Sequence, residues 1–394
     1  MNKKIKVVHI ITKLELGGAQ RNTLYTVENI SKENFDVYLI SGCGGILDSE
    51  AIKLSRRNVK VVFLKNLIRE INPIKDFLSF LNIYNFLKEI NPDIVHTHSS
   101  KAGIVGRWAA FFLNFFKKRK IKIIHTFHGF SFSKFHNFFV RNLYIFLEYL
   151  TGKISDILIF VSKENMNTAK NLRIGSYKKY VLIRSGIKIK EFYRVSENDG
   201  LKIIKKRELN LPLDYRIITT IGPFKPQKNL VDFIRMVKIV TNSLPTYKLK
   251  FLIVGDGEQR QFLIDFSKKL KVSEKIYFLS WHKDIKGIMC ITDIFVLTSL
   301  WEGLPRSAVE ALVSGVPVVS YAVDGLKDII VSDVNGFIVE PKNVEELSKK
   351  IILLLTDNKI FSKIKGLTWQ TIDYSFDIDY MVKQQEDLYS RLFS

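Results

Sequence analysis

The chain reads as an α/β protein built on two doubly wound parallel sheets, and three observations predict this. Short apolar runs rich in β-branched residues recur along its whole length, alternating with helix-length stretches. The gaps between successive runs leave room for one crossover helix each, the connection that parallel strands need. The series breaks once, near residue 188, and then restarts, and 394 residues suit two domains.

Ile5–Ile11 is the first predicted strand, followed by Leu16-Gly17-Gly18-Ala19-Gln20 and a helix through Asn29. Further strands fall at Phe35–Ile40, Val59–Phe63, Asp93–His96, Lys122–Thr126 and Ile157–Val161, with helices at Pro73–Ile90, at Ala102 to about Phe116, and over about 137–151. Tyr180–Gly186 closes this series, and the polar segment 195–212 reads as a connection. The second series places strands near 216–221, 249–254, 275–279, 293–297, 317–321 and 337–339, with helices at about 228–242, 257–270, 305–314 and 344–356. Ser375–Phe393 carries Ile378, Met381, Val382, Leu388 and Leu392 at helical spacing and reads as a terminal amphipathic helix. The expected domains are 1–187 and 188–374, followed by the terminal helix in 375–394. Both are Rossmann-like, and ligands are expected in a cleft at their strand C-termini.

The net charge of +22 is uneven: residues 1–200 hold 33 Lys and Arg against 16 acidic residues, and 201–394 hold 28 against 23. Within 101–150 the count is 9 against 1, which points to an anionic partner for the first half. Cys43 and Cys290 have no paired spacing, so neither a disulfide framework nor a cysteine metal site is expected. No run approaches the ~18–20 apolar residues of a membrane span, and the N-terminal apolar run is too short for a signal peptide.

Several loops follow predicted strands and carry chemistry. Gly17-Gly18 lets backbone amides approach an anion, although the glycine fingerprint of dinucleotide binding is missing. His96, His98, His125 and His128 stand at strand ends, suited to hydrogen-bonding a sugar hydroxyl or steadying charge. In Gly222-Pro223-Phe224-Lys225-Pro226-Gln227-Lys228, two lysines bracket a rigid turn before a helix, as a diphosphate would need. The most specific stretch is Thr298–Ser320. There a strand, a loop with Glu302-Gly303-Leu304-Pro305 and a helix carrying Glu310 set two carboxylates around a helix start.

Together these motifs resemble family-4 glycosyltransferases of the GT-B architecture, in which two Rossmann-like domains face a central cleft. The resemblance rests on Glu302 and Glu310 with seven residues between, the Gly222–Asn229 loop, Val254-Gly255-Asp256-Gly257, Leu279–Asp284, Gly315–Ser320, Gly17–Gln20 and His125–Gly129. The segment His96–Gly103 is similar to the branch that builds bacterial capsule and exopolysaccharide. The resemblance implies transfer of a hexosyl or N-acetylhexosaminyl unit from a nucleotide sugar, with retention at the anomeric carbon. Glu310 would hold the ribose and Lys228 the diphosphate. Glu302, Gly303 and Leu304 would hold the donor sugar, with His128 at the reacting centre. Gly18 would approach the phosphate, and Trp281 and His282 would meet the base. That family usually has Arg directly after the loop glycine. Here the position is Pro223, and Lys225 would supply the charge.

No metal or other cofactor is expected, and Asp377 and Asp379 read as a cap or surface feature. UDP is the expected nucleotide, with GDP left open. The expected acceptor is a polyprenyl-diphosphate-linked saccharide, with a soluble acceptor as the alternative. Aromatic residues interleaved with Lys and Arg in Trp108–Lys122 and Phe130–Arg141 suit an anionic membrane surface. Peripheral attachment to the inner face of the cytoplasmic membrane is therefore expected. No recognition motif for nucleic acid accompanies the charge.

Overall fold

A computed structural model describes residues 3–130, 132, 135 and 137–393. The chain divides into two compact units, Met1–Gly186 with Ile378–Ser394, and Ile187–Asp377.

In the first unit, β1 (Ile5–Lys13), α1 (Gly18–Asn29), β2 (Phe35–Gly42), α2 (Asp48–Leu54), β3 (Val59–Leu64), α3 (Pro73–Ile90), β4 (Ile94–His98), α4 (Ser100–Asn114), β5 (Lys122–Phe127), α5 (Phe138–Lys153), β6 (Ile157–Phe160), α6 (Lys163–Asn171) and β7 (Tyr180–Leu182) follow one another. Among the described residues they form a seven-stranded sheet in the order β3-β2-β1-β4-β5-β6-β7, with parallel pairing throughout. The strand order reverses between β1 and β4, the point where doubly wound sheets open a crevice.

Strand periodicity sorts the core. Val7 and Ile11 of β1 join one apolar cluster with Val27, Met381 and Tyr389. Val8 and Ile10 join another with Ile83, Leu87 and Ala109. All four β1 residues are fully buried, so helices cover the sheet on both faces and each such side chain contributes roughly 1.5–3 kcal/mol.

The second unit runs α7 (Ile189–Phe192), α8 (Asp199–Glu208), β8 (Arg216–Ile221), α9 (Leu230–Ser243), β9 (Leu249–Val254), α10 (Arg260–Lys269), β10 (Ile276–Leu279), α11 (Ile285–Ile291), β11 (Ile294–Leu297), α12 (Arg306–Val313), β12 (Val318–Tyr321), α13 (Leu326–Ile329), β13 (Gly336–Val339), α14 (Val344–Thr356) and α15 (Asn358–Leu367). Its described strands form a six-stranded sheet in the order β10-β9-β8-β11-β12-β13, reversing between β8 and β11.

The last helix, α16 (Ile378–Arg391), belongs to the first unit. Tyr389 is fully buried with its ring edge-on to Phe35 at 5.9 Å. The Ser31 amide donates to Glu386 Oε1 at 2.6 Å and the Tyr25 hydroxyl to Asp379 Oδ1 at 2.5 Å. Asp379 thus ties α16 to α1. Where the chain re-enters this unit it passes close to Gly186. A Cβ on Gly186 would lie 2.4 Å from Ile378 Cα, so only glycine fits.

One expectation needs correction. The polar connection 195–212 contains α8, N-capped by Asn198, whose Oδ1 accepts from the Leu201 amide at 2.9 Å. Its charged residues disguised an amphipathic helix. Lys206 buries its stem and donates from Nζ to the carbonyls of Leu213 (2.9 Å) and Tyr215 (2.6 Å).

Candidate active site

Two loops leave the second sheet where its strand order reverses. The loop after β8 carries Gly222–Asn229 and the loop after β11 carries Thr298–Pro305. They are stitched together: the Leu300 amide donates to the Gln227 carbonyl at 2.9 Å, Gln227 Nε2 to the Trp301 carbonyl at 2.8 Å, and Thr298 Oγ1 to the Lys228 carbonyl at 3.0 Å. At the centre, Lys228 Nζ forms an ion pair with Glu302 Oε1, with both side chains close to 10% exposed. The Lys228 stem lies on Gly222, where a Cβ would come within 2.9 Å of Lys228 Cε. The Glu302 amide donates to Asp324 Oδ2 at 2.6 Å, and the Gly303 carbonyl accepts from the Gly325 amide at 3.0 Å.

Sequence reading placed Lys228 on a diphosphate and Glu302 on a sugar. The structure joins the two directly, so the loop is close to charge-neutral at its centre. Glu310 is buried on α12, one turn from Arg306 (Nη2 to Oε1, 3.6 Å). Leu304 is buried beside Pro305, which caps α12 at φ −71°. Lys225 opens the short turn before α9. Pro223 sits in a rigid corner: the Phe224 amide donates to the Asp256 carbonyl at 2.9 Å and the Lys225 amide to the Pro223 carbonyl at 2.8 Å. Trp281 and His282 lie after β10, the edge strand, two places along the sheet from β8. There His282 Nδ1 accepts from the Asp284 amide at 3.2 Å.

The first unit brings four histidines together at the reversal of its own sheet. Side chains alternate along a strand, so Ile94, His96 and His98 share the face that His9 occupies on β1. Register sets His9 beside His96, and His98 beside Thr126. His9 Nδ1 and His98 Nε2 are 3.1 Å apart, as are His98 Nδ1 and His128 Nε2. His96 uses both nitrogens elsewhere, Nδ1 with the Tyr389 hydroxyl at 2.5 Å and Nε2 with Thr126 Oγ1 at 2.7 Å. His125 faces the other way, meeting Thr97 Oγ1 at 2.8 Å and lying over Gly103, where a Cβ would come within 2.5 Å of its ring. Gly18 begins α1 in the loop after β1.

Burial, which removes water from the charged form, pulls His9 down to about 3 and His128 down to about 4. The same cause holds His96, His98 and His125 well below the usual imidazole value. All five are neutral at pH 7. One nitrogen each of His9, His96 and His98 lies within 4.8 Å of the others, which passes the distance test for a shared ion. Both His96 nitrogens and one His9–His98 contact are already committed to hydrogen bonds, so an ion would have to break into that network.

Sequence reading missed His9, Tyr389 and Asp324. His9 could have been found by pairing β1 with β4. The buried pair Arg107–Glu148 (2.6 Å), with Arg107 also donating to the Gly103 carbonyl at 2.8 Å, was missed as well, and it fastens α5 beneath the His125 strand.

Comparison with known proteins follows the same two halves. Residues 16–191 match the model of Glycosyltransferase Family 4, and residues 202–365 that of Glycosyl transferases group 1. The chain is 31% identical over 392 residues to the UDP-Gal:alpha-D-GlcNAc-diphosphoundecaprenol alpha-1,3-galactosyltransferase of Escherichia coli, covering 98% of this chain and 97% of that one. It is 25% identical over 354 residues (88% and 89% of the two chains) to the N,N'-diacetylbacillosaminyl-diphospho-undecaprenol alpha-1,3-N-acetylgalactosaminyltransferase of Campylobacter jejuni. In fold it is similar to HepE of Anabaena, solved with UDP and glucose, at TM-score 0.81 and 16% identity over 98% of this chain and 100% of that one. The two sheets and their loops are those of a GT-B glycosyltransferase. The chain belongs to glycosyltransferase family 4.

Proposed function

We propose that this enzyme moves a hexosyl or N-acetylhexosaminyl unit from a UDP-sugar onto a saccharide linked to a polyprenyl diphosphate, with retention, during assembly of a bacterial surface polysaccharide. The observation that carries this is the end-to-end match to the Escherichia coli galactosyltransferase, whose printed name specifies a UDP-linked donor and a diphosphoundecaprenol-linked acceptor. In the reaction the anomeric C–O bond to UDP breaks and a new C–O bond forms to the acceptor hydroxyl. The acceptor's proton leaves with the UDP. Glu310 holds the ribose hydroxyls, Lys228 and Lys225 meet the diphosphate, Glu302 with Gly303 and Leu304 holds the sugar, and Trp281 and His282 face the base. Gly18 supplies a backbone amide to the phosphate, and His128 reaches a sugar hydroxyl. In this reading the transfer needs no metal.

A membrane surface supplies the acceptor. Support comes from exposed apolar residues on and beside α3, α4 and α5 of the first unit. Exposed there are Ile74 and Phe77, Phe115 and Phe116, and Phe138 and Phe139, from 61% to 83% accessible. The exposed Lys118 and Arg119 stand just beyond Phe115 and Phe116, in the segment after α4, with Arg119 also pairing with Asp93 at 3.4 Å. Apolar rings beside cations suit the boundary of an anionic bilayer. Part of the aromatic stretch expected to serve this role is core instead, since Phe130 and Phe132 are buried with Phe127 and Phe160. Ser131, Ser133, Lys134 and His136 of that stretch lie outside the described residues. Among the described residues, no helix is long and apolar enough to cross a membrane, and attachment to the inner face of the cytoplasmic membrane is peripheral in this reading.

The test is transfer of label from UDP-galactose to GlcNAc-diphosphoundecaprenol in vesicles, with and without EDTA. Label in the lipid phase in both arms is expected. Transfer only from GDP-sugars, only to water-soluble acceptors, or only without EDTA would overturn the corresponding part.

A further inference from the structure

We propose that His9, His98 and His128 form one hydrogen-bonded imidazole chain whose proton order decides whether His128 offers a donor or an acceptor to the sugar, which makes His9 and His98 positioning residues for that contact. This rests on the reading above that His128 meets the donor sugar.

The geometry leaves little freedom. His9 Nδ1 faces His98 Nε2 and His98 Nδ1 faces His128 Nε2, each at 3.1 Å. A neutral imidazole carries one N–H and one lone pair. If His9 donates from Nδ1, then His98 accepts on Nε2 and must carry its proton on Nδ1. His128 then accepts on Nε2 and carries its proton on Nδ1. If His128 instead donates from Nε2, every proton sits on Nε2. Three neutral rings in this chain therefore share one tautomer.

The chain ends differ. His9 Nε2 and His128 Nδ1 are both buried without a hydrogen-bond partner among the described residues. His9 lies inside the sheet, walled by His96 (5.1 Å) and Tyr389 (6.3 Å), and stays without a partner when substrate binds. His128 stands at the loop end and gains a sugar oxygen. With ligand bound, the Nδ1–H order leaves only a lone pair unmet, at His9. The Nε2–H order leaves a buried N–H unmet there, and orphaned buried donors are the rarer and costlier case. Binding therefore selects the order in which His128 Nδ1–H donates to the sugar. His96 lies against His98 with ring centroids 4.3 Å apart and planes tilted by 36°, but stays outside the chain, because its partners Tyr389 and Thr126 are hydroxyls that rotate to suit either tautomer.

Long-range proton–nitrogen correlation spectra of the full-length protein read the tautomers directly, with and without UDP-galactose. In the free protein His9, His98 and His128 should share one tautomer, and any mixed set overturns the chain. With UDP-galactose all three should carry the proton on Nδ1, and Nε2–H in the complex overturns the direction. If the three share a tautomer but UDP-galactose leaves the His128 signals unmoved, the chain stands and the sugar contact is overturned. For turnover, His9→Leu should lower kcat roughly fivefold, the worth of one ordinary hydrogen bond. His9→Asn, whose amide N–H occupies the place of Nδ1–H, should restore most of it. Unchanged kcat in a folded His9→Leu, or no recovery in His9→Asn, counts against the proposal.

Discussion

Lys228 and Glu302, 74 positions apart, close an ion pair between the loops that follow β8 and β11. Both were expected to touch a donor, yet in the free chain each neutralises the other. A buried charge is costly without its partner, and removing one member of such a pair costs on the order of 3 kcal/mol. Lys228→Ala should therefore destabilise the second unit measurably in urea unfolding. Adding Glu302→Gln should recover part of that loss, because the stranded carboxylate is gone. A double variant no more stable than Lys228→Ala would show that the pair contributes through its shape alone.

Glu310 and Glu302 should separate in kinetics. In the proposed reading Glu310 holds the ribose equally in ground and transition states, so Glu310→Ala should raise KM for the nucleotide sugar with kcat little changed. Glu302→Ala and His128→Ala should instead lower kcat. Identical effects from all three would dissolve the distinction between nucleotide and sugar contacts.

Acid should weaken the first unit through its histidines. In the folded chain His9 titrates at about 3 and His128 at about 4, against 6.5 when unfolded, and His96, His98 and His125 are lowered too. Between pH 6.5 and about 4 the unfolded chain binds more protons, so stability is full above 6.5 and falls as pH drops through that window. Each group contributes up to about 1.4 kcal/mol per pH unit. Unfolding monitored at pH 7, 6 and 5 should show the decline, and a flat profile would contradict neutral burial.

Lipid binding should depend on the exposed rings and not on the fold. The double substitution Phe116→Ser, Phe139→Ser should abolish sedimentation with phosphatidylglycerol vesicles at low salt while Tm stays constant, since both side chains are at least 80% accessible. Retained sedimentation would move the lipid surface elsewhere.

The strands were legible because buried parallel strands are near-continuous apolar runs, as Val7–Ile11 shows. The loops were legible because glycine, proline and paired carboxylates stand at fixed offsets around Gly222 and Glu302. What stayed hidden depends on sheet order. Lys228 meets Glu302 only because β8 lies beside β11, and His9 meets His98 only because β1 lies beside β4. No local pattern around His9 carries that information. The helix α8 was hidden for another reason: lysine stems did the burying, and a charge count cannot see them.

Because α16 completes the first unit from the far end of the chain, synthesis and folding are out of step. Domains ordinarily fold as they leave the ribosome, N-terminal first. Here the first 186 residues emerge without Met381, Leu388 and Tyr389, and His96 Nδ1 waits for the Tyr389 hydroxyl until α16 has been made. A nascent chain halted before residue 378 should accordingly leave the first unit protease-sensitive, while the second unit, already complete, resists digestion.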